Sequence, residues 1–359
     1  MSEPLLEVEH LKKYFPVRRG ALFSRTVGKV HAVDDVTLSL QEGETLGVVG
    51  ESGCGKTTLS RTLVRLLQPD GGALRFRGQD ITRAGRRGLR PIRSEVQMVF
   101  QDPYASLNPR KRVGQIVSAP LKLHPPRDGR SRDRMMRDIL ELVGLNPEHV
   151  NRFPHEFSGG QRQRIGVARA LIVQPRLIIL DEPVSALDVS IQAQVINLLD
   201  DLQDELRLSY VFVAHDLSVV RHVSDRIAVM YLGKIMELSP GEELYRKPIH
   251  PYTAALLNAV PIPDPRENRA RERIVLEGEP PNPIDPPSGC VFHTRCPRAT
   301  ELCRTVEPPL TEYANGHTAA CHHPLNVTAG EIRAATKAPS SPLSSGDELP
   351  DPAEAEAAA

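Results

Sequence analysis

Residues 50–58 read GESGCGKTT and fit the spacing G-x-x-x-x-G-K-[ST]. Glycines at Gly50, Gly53 and Gly55 let backbone N–H groups turn inward around phosphate oxygens, and a helix starting at Lys56 adds its positive end. The Lys56 ammonium has the length to reach β- and γ-phosphates, and the Thr57 hydroxyl is an oxygen donor for Mg²⁺. Glu51, Ser52 and Thr58 complete the loop. Cys54 stands at a variable loop position and reads as a small filler rather than a redox centre.

A second constellation lies in LIILDEP, residues 177–183, where Asp181 and Glu182 follow an apolar run. Ligands collect at the carboxyl ends of strands in open α/β sheets. Asp181 is the candidate to hold Mg²⁺, directly or through water, and Glu182 to polarise an attacking water. Successive side chains on a strand point oppositely, which predicts different tasks for the two acids. Taken alone, the pair also reads as solvated acids leaving a strand. His215 ends the apolar run YVFVAH and could donate to a γ-phosphate; Gln101 ends VFQ and could touch Mg²⁺ or the attacking water. Each also reads as an ordinary strand-end residue. In FSGGQRQRIGVARAL, Ser158, Gly159, Gly160 and Gln161 open an amphipathic run. They suit either a plain N-cap or a second anion seat.

These residues need a scaffold. ETLGVVG (44–50), RLIILDE (176–182) and YVFVAHD (210–216) read as buried strands, and Lys56 to Leu67 as a helix. RIAVMYLGKIMEL (226–238) reads as a hairpin turning at Leu232, Gly233 and Lys234. Strands alternating with helices predict an α/β fold with a mostly parallel sheet. DILELVGLNPEHVNRFPHEFSGG is helical in pattern with breaks at Gly144, Pro147 and Pro154, so residues of about 103–175 form a helical subdomain. From Pro248 the chain turns Pro-rich and charged, and residues 327–359 are low-complexity and expected to be disordered.

The 359 residues carry 45 basic and 45 acidic side chains, a balance that argues against a general nucleic-acid binder. No run of about 18 apolar residues exists to span a membrane, and the charged N-terminus is unlike a secretory signal. A cytosolic protein with reduced thiols is expected.

GESGCGKTT, Gln101, FSGGQRQR, LIILDEP, SALD (185–188) and His215 stand in the order found in the nucleotide-binding subunits of ATP-binding-cassette (ABC) transporters, over roughly residues 5–245. The chain resembles that family. The resemblance implies a P-loop ABC ATPase with a RecA-like mixed sheet, a helical signature subdomain and ATP and Mg²⁺ as ligands. It implies head-to-tail pairing in which each ATP lies between one subunit's phosphate loop and the other's SGGQ helix. On that basis Asp188 lies at the dimer seam, although it also reads as a helix N-cap. An aromatic residue near the N-terminus stacks on adenine; Phe15 fits by spacing, Tyr14 is the other candidate, and either also reads as core. The segment after Gln101 meets the membrane subunits.

KPIHPYTAALLNAVPIPDP (247–265) resembles the C-terminal extension of oligopeptide and dipeptide importers, with HPYT as a family marker rather than a substrate contact. Residues 246–326 are assigned to that extension. Nickel importers share a related arrangement. QDPYASLNPRKRV resembles the second of the two ATPases such systems use. The implied partners are a second ATPase subunit, two membrane permeases and an extracytoplasmic substrate-binding protein, with no nucleic acid, at the cytoplasmic face of the membrane. Cys290, Cys296, Cys303 and Cys321 follow the spacing C-x5-C-x6-C-x17-C. Four thiolates suit Zn²⁺ or an iron–sulfur cluster; resemblance to the importer set favours [4Fe–4S], with His293, His322 and His323 as substitute ligands. A soluble ABC ATPase with a regulatory role is the rival of a different class.

Overall fold

The computed structural model describes residues 3–19, 25–102, 106–126, 129, 131–260, 266, 276–328, 331, 332, 334 and 335. Outside the described residues lie the tail from 336 on, nearly all of the Pro-rich stretch 261–275, and residues 103–105 of the segment after Gln101. Up to Val99 the chain runs β1 (Leu6–Arg19), β2 (Arg25–Leu40), β3 (Thr45–Val49), α1 (Lys56–Leu63), β4 (Gly71–Phe76), β5 (Gln79–Asp80), α2 (Arg86–Glu95) and β6 (Val96–Val99). Then come α3 (Val113–Val117), α4 (Arg132–Leu142), α5 (Gly159–Leu171), β7 (Leu177–Asp181), α6 (Val189–Leu206), β8 (Ser209–Val213) and α7 (Leu217–Val223). The chain continues through β9 (Arg226–Tyr231), β10 (Lys234–Pro240), α8 (Gly241–Arg246), α9 (Pro251–Ala259), α10 (Glu301–Thr305), β11 (Thr311–Glu312), β12 (Thr318–Ala319) and β13 (Ala334–Ala335).

A mixed sheet of order β13-β11-β12-β10-β9-β3-β8-β7-β6 forms the centre. Its strands β9, β3, β8, β7 and β6 are parallel neighbours. The continuous apolar runs of β3, β7 and β8 follow from burial on both faces. Alternate residues enter different cores. Ile178, Leu180, Tyr210 and Phe212 pack with the helices of residues 113–171, while Leu177, Ile179, Val211 and Val213 pack under the N-terminal strands. That second cover is an antiparallel sheet of order β2-β1-β4-β5, which the sequence reading did not anticipate. Its reason is local: β1 slips register against β2 at four points, and His10 sits at φ 49°, so strict alternation never develops.

Helix α1 stops at Leu63, short of the expected Leu67, because the chain turns left-handed at Arg65 (φ 56°). Gly144, at φ 70°, follows α4, and Pro147 and Pro154 each open a short 3₁₀ turn before α5. The β9–β10 hairpin closes through Leu232 (φ 43°) and Gly233 (φ 82°), the paired positive φ values of a tight two-residue turn.

The C-terminal residues dock on the hairpin edge of the sheet. Strand β12 pairs with β10 at Glu237 and Leu238. The Glu237 carboxylate is fully buried and accepts from Ile249 N (2.7 Å), His250 N (2.9 Å) and His317 Nε2 (2.6 Å). A buried carboxylate is tolerable only when its oxygens are satisfied in this way. His250 caps α9, its Nδ1 accepting from Tyr252 N at 3.0 Å, and Pro251 takes the first helical position. Tyr252 and Phe292 close an aromatic cluster with Tyr231, at ring separations of 4.8–5.4 Å. No helix among the described residues is long and apolar enough to cross a membrane.

Candidate nucleotide site

Strand β3 delivers the chain to the phosphate loop and α1 leads it away. Two glycines make that path possible. A Cβ on Gly50 would lie 2.1 Å from Met230 O, and one on Gly55, at φ +111°, 1.9 Å from Ala32 O. Lys56 is buried, its ammonium donating to Gly50 O (2.7 Å) and Glu51 O (3.0 Å). Cys54 is also buried beside it, and burial pushes its thiol pKa up, which suits a filler.

Thr57 Oγ1 donates to Asp181 Oδ1 at 3.2 Å, bringing together the two residues expected to hold Mg²⁺. Burial raises the Asp181 pKa, against the Thr57 hydrogen bond and the nearby Arg61 and Lys56 charges. Strand β7 ends at Asp181. Glu182 stands just beyond it at φ 47°, an uncommon conformation for a non-glycine residue. Strand alternation therefore does not separate the two acids as expected; the left-handed turn does. The Glu182 carboxylate accepts from Gln101 Nε2 at 2.8 Å and lies 3.3 Å from His215 Nδ1. The three strand-end residues, from three different strands, meet at one point.

Gln101, Glu182 and the phosphate loop border a cleft of about 310 Å³ walled by Phe15, Val30, Ala32, Ser52, Gly53, Gly55, Lys56, Thr57, Thr58, Gln101, Glu182 and Pro283, with Asp181 and His215 behind Thr57 and Glu182. Phe15 faces the cleft. Tyr14 does not: its hydroxyl donates to Asp34 Oδ1, and its ring packs on His31 at 4.5 Å. Glu51 also turns away, its carboxylate held by Arg295. A larger cavity, about 1140 Å³, lies between α4 and the end of α6, away from all these groups.

Ser158 and Gln161 form a reciprocal cap. Ser158 Oγ accepts from Gln161 N (3.3 Å), and Gln161 Oε1 accepts from Ser158 N (3.0 Å). Ser158, Gly159, Gly160 and Gln161 do not border their own chain's cleft. The start of α5 packs instead on the SALD segment and the first turn of α6: a Cβ on Gly160 would meet Ile191 Cγ2 at 2.4 Å, and one on Gly159 would meet Leu187 Cδ2 at 3.2 Å. Asp188 occupies the N-cap position of α6, but its exposed side chain makes no capping bond.

Cys321 lies within electrostatic reach of Cys290, Cys296 and Cys303. Burial pushes the Cys290 thiol up to about 11 and that of Cys321 up to about 12. Among the described residues no three His, Cys, Asp or Glu side chains are grouped to hold a metal ion. The histidines expected as substitute ligands have other partners: His293 with Cys290 O, His322 with Val306 O and His323 with Thr300 Oγ1. Sequence reasoning missed Pro283, Arg295 and Tyr252 as neighbours of the site. The signal for Tyr252 was its place in HPYT, and the Tyr252 hydroxyl accepts from Glu51 N at 3.0 Å.

A strand–phosphate loop–helix with an acid pair and a strand-end glutamine and histidine defines a P-loop ATPase. The chain belongs to the ABC transporter family of ATPases: residues 33–185 match the ABC transporter family model, and 236–303 match the oligopeptide/dipeptide transporter C-terminal region. It is 57% identical over 322 residues to the oligopeptide transport ATP-binding protein AppF of Bacillus subtilis, covering 89% of this chain and 98% of that one. It is 53% identical to the oligopeptide transport ATP-binding protein OppF of Salmonella typhimurium, over 88% of this chain and 95% of that one. The dipeptide transport ATP-binding protein DppF of Haemophilus influenzae is 49% identical, over 90% and 97%. Among solved structures, cbiO1 of Clostridium perfringens aligns with a TM-score of 0.57 at 26% identity, over 68% of this chain and 92% of that one. The dimeric post-hydrolysis cassette MJ0796 bound to ADP and Pi aligns equally well, over 66% and 98%.

Proposed function

We propose that this chain is the ATP-hydrolysing subunit of an ABC importer for di- or oligopeptides. It works with a second ATPase subunit, two membrane permeases and an extracytoplasmic substrate-binding protein, at the cytoplasmic face of the membrane. The observation that carries the reading is the division of the site. Gln101, Glu182 and His215 gather beside the phosphate loop, while Ser158–Gln161 lie outside that cleft. Such a division supports a composite site, in which the Ser158 hydroxyl and the Gly159 and Gly160 amides meet a partner's nucleotide and Asp188 sits at the seam. The match over 236–303 and the names of the similar proteins support peptide as the cargo. Residues 1–245 act as the ATPase domain and 246–326 as the importer-type extension.

Phe15 stacks on the base, Ser52–Thr58 wrap the phosphates, and Lys56 neutralises them. Thr57 and Asp181, with Gln101 alongside, present the hard oxygen donors that Mg²⁺ prefers; the ion would shield phosphate charge. Glu182 takes the proton of the attacking water, Gln101 holds the acid in place, and His215 donates to the terminal phosphate. ATP drives the cycle only by binding the closed pair better than the open one. Glu182→Gln should lower kcat by roughly 10²–10⁴-fold and leave an ATP-bound dimer visible by light scattering. Turnover equal to wild type would remove Glu182 from the role of base.

We also infer that Cys290, Cys296, Cys303 and Cys321 hold a [4Fe–4S] cluster rather than Zn²⁺, as a brace for a region with little core of its own. The spacing C-x5-C-x6-C-x17-C, with Cys321 in electrostatic reach of Cys290, Cys296 and Cys303, supports it. Anaerobic purification should give about four irons and four sulfides per chain; stoichiometric zinc instead would overturn the assignment.

A further inference from the structure

We propose that the C-terminal extension forms part of the nucleotide site of its own chain. Arg295 positions the phosphate loop, and Pro283 covers the base end. The inference rests on reading the 310 Å³ cleft as the nucleotide site. Two contacts, one on the phosphate loop that borders the cleft and one on the cleft wall itself, carry it independently.

At the phosphate end, Arg295 reaches across 244 residues of sequence to Glu51. Its Nη1 donates to Oε2 at 2.7 Å and its Nη2 to Oε1 at 3.1 Å, a two-pronged pair. The arginine side chain is only 7% exposed, so bulk salt screens this pair little. The Glu51 amide is fixed separately, by donation to Tyr252 Oη. Both main-chain and side-chain handles of the loop's second residue are thus held by residues beyond 246. An acid in a loop built for polyphosphate needs this neutralisation. Without Arg295, the Glu51 carboxylate would be released to swing back toward the bound phosphates and repel them.

At the base end, the segment around Pro283 lies along β2. His31 N donates to Pro283 O at 3.0 Å, and a Cβ on Gly28 would meet Ile284 Cγ2 at 2.7 Å. The Pro283 ring shares the cleft wall with Phe15 and Val30. A rigid proline ring and an aromatic ring lining one cleft give the base apolar surface at little entropic cost.

Equilibrium binding of ATP and of inorganic tripolyphosphate to the full chain, by displacement of a fluorescent nucleotide, separates the two ends. Arg295→Ala should weaken both ligands by roughly tenfold or more. Arg295→Lys should recover part of the loss. Glu51→Gln added to Arg295→Ala should recover most of it, because the repelling charge is gone; a purely structural role for Arg295 predicts no such rescue. In turnover, KM should rise while kcat changes by less than about threefold, the signature of lost uniform binding. Pro283→Gly should weaken ATP but leave tripolyphosphate binding unchanged, since that ligand has no base. ATP affinity unaltered in Arg295→Ala, or no recovery in the double variant, overturns the role of Arg295. Equal effects of Pro283→Gly on both ligands overturn the role of Pro283. Lys56→Ala is the control for the cleft itself. If it leaves ATP binding intact, the cleft is not the nucleotide site and the reading beneath this proposal fails; if it abolishes binding, the outcomes above judge the proposal alone.

Discussion

Replacing Glu237 by glutamine should loosen the C-terminal extension from the sheet while leaving the rest of the fold in place. The carboxylate accepts three donors, from Ile249 N, His250 N and His317 Nε2, in a fully buried position. A glutamine of the same shape has one acceptor oxygen. Keeping that oxygen toward Ile249 N and His317 turns the side-chain amide against His250 N, donor facing donor. An unsatisfied buried donor costs about 1–3 kcal/mol, and the two remaining bonds each lose about 1 kcal/mol of charge assistance. The sum is roughly 3–5 kcal/mol, equivalent to about a 10²- to 10⁴-fold rise in local opening. Hydrogen exchange by mass spectrometry reads this directly. Peptides spanning 246–260 and 311–320 should exchange faster by that factor, while those covering β7 and β8 stay protected. An acceleration below about threefold would mean that the aromatic cluster, not the carboxylate, holds the extension.

Acidification should weaken the same region. His250 is buried and neutral, its pKa pushed down to about 4 from a reference near 6.5. Its stabilising contribution is complete above pH 6.5 and is lost as pH falls toward 4, by about 3 kcal/mol in all. His250→Asn, which keeps a capping acceptor but does not titrate, should flatten the stability slope across that window in urea melts. Gly55→Ala, with a Cβ driven onto Ala32 O at 1.9 Å and φ +111°, should cost more than about 3 kcal/mol in thermal unfolding and abolish nucleotide binding.

The parallel centre of the fold was legible because burial on two faces leaves a mark: unbroken apolar runs at β3, β7 and β8, ended by Gly50 of the phosphate loop, by Asp181 and by His215. Hairpin β9–β10 was legible through its Leu-Gly turn. Strand β1 was not, since its bulges and Pro16 scatter the apolar positions, and no period survives to be read. The pairing of Arg295 with Glu51 left no trace either, because contacts between two loops carry no periodicity. Glu237 did leave one: a lone acid inside KIMELSP, where its neighbours in β10 are buried. Such an acid must be solvated by partners, and the chain supplied them from the extension. Spacing preferred Phe15 to Tyr14 for the adenine side but carried no physical reason; the reason is that Asp34 captures the Tyr14 hydroxyl while Phe15 lines the cleft.

The reciprocal cap at the start of α5 has a bearing on the open half of the site. An alcohol oxygen that receives an amide proton through a lone pair keeps its own proton free. Ser158 can thus seal its helix and still offer an O–H outward, toward an oxyanion on a neighbouring molecule. Aspartate would seal the same helix end as well, yet it has no proton to lend and would push the oxyanion away. In the composite site proposed above, an uncharged alcohol there would let one side chain serve its own chain and a stranger's ligand together.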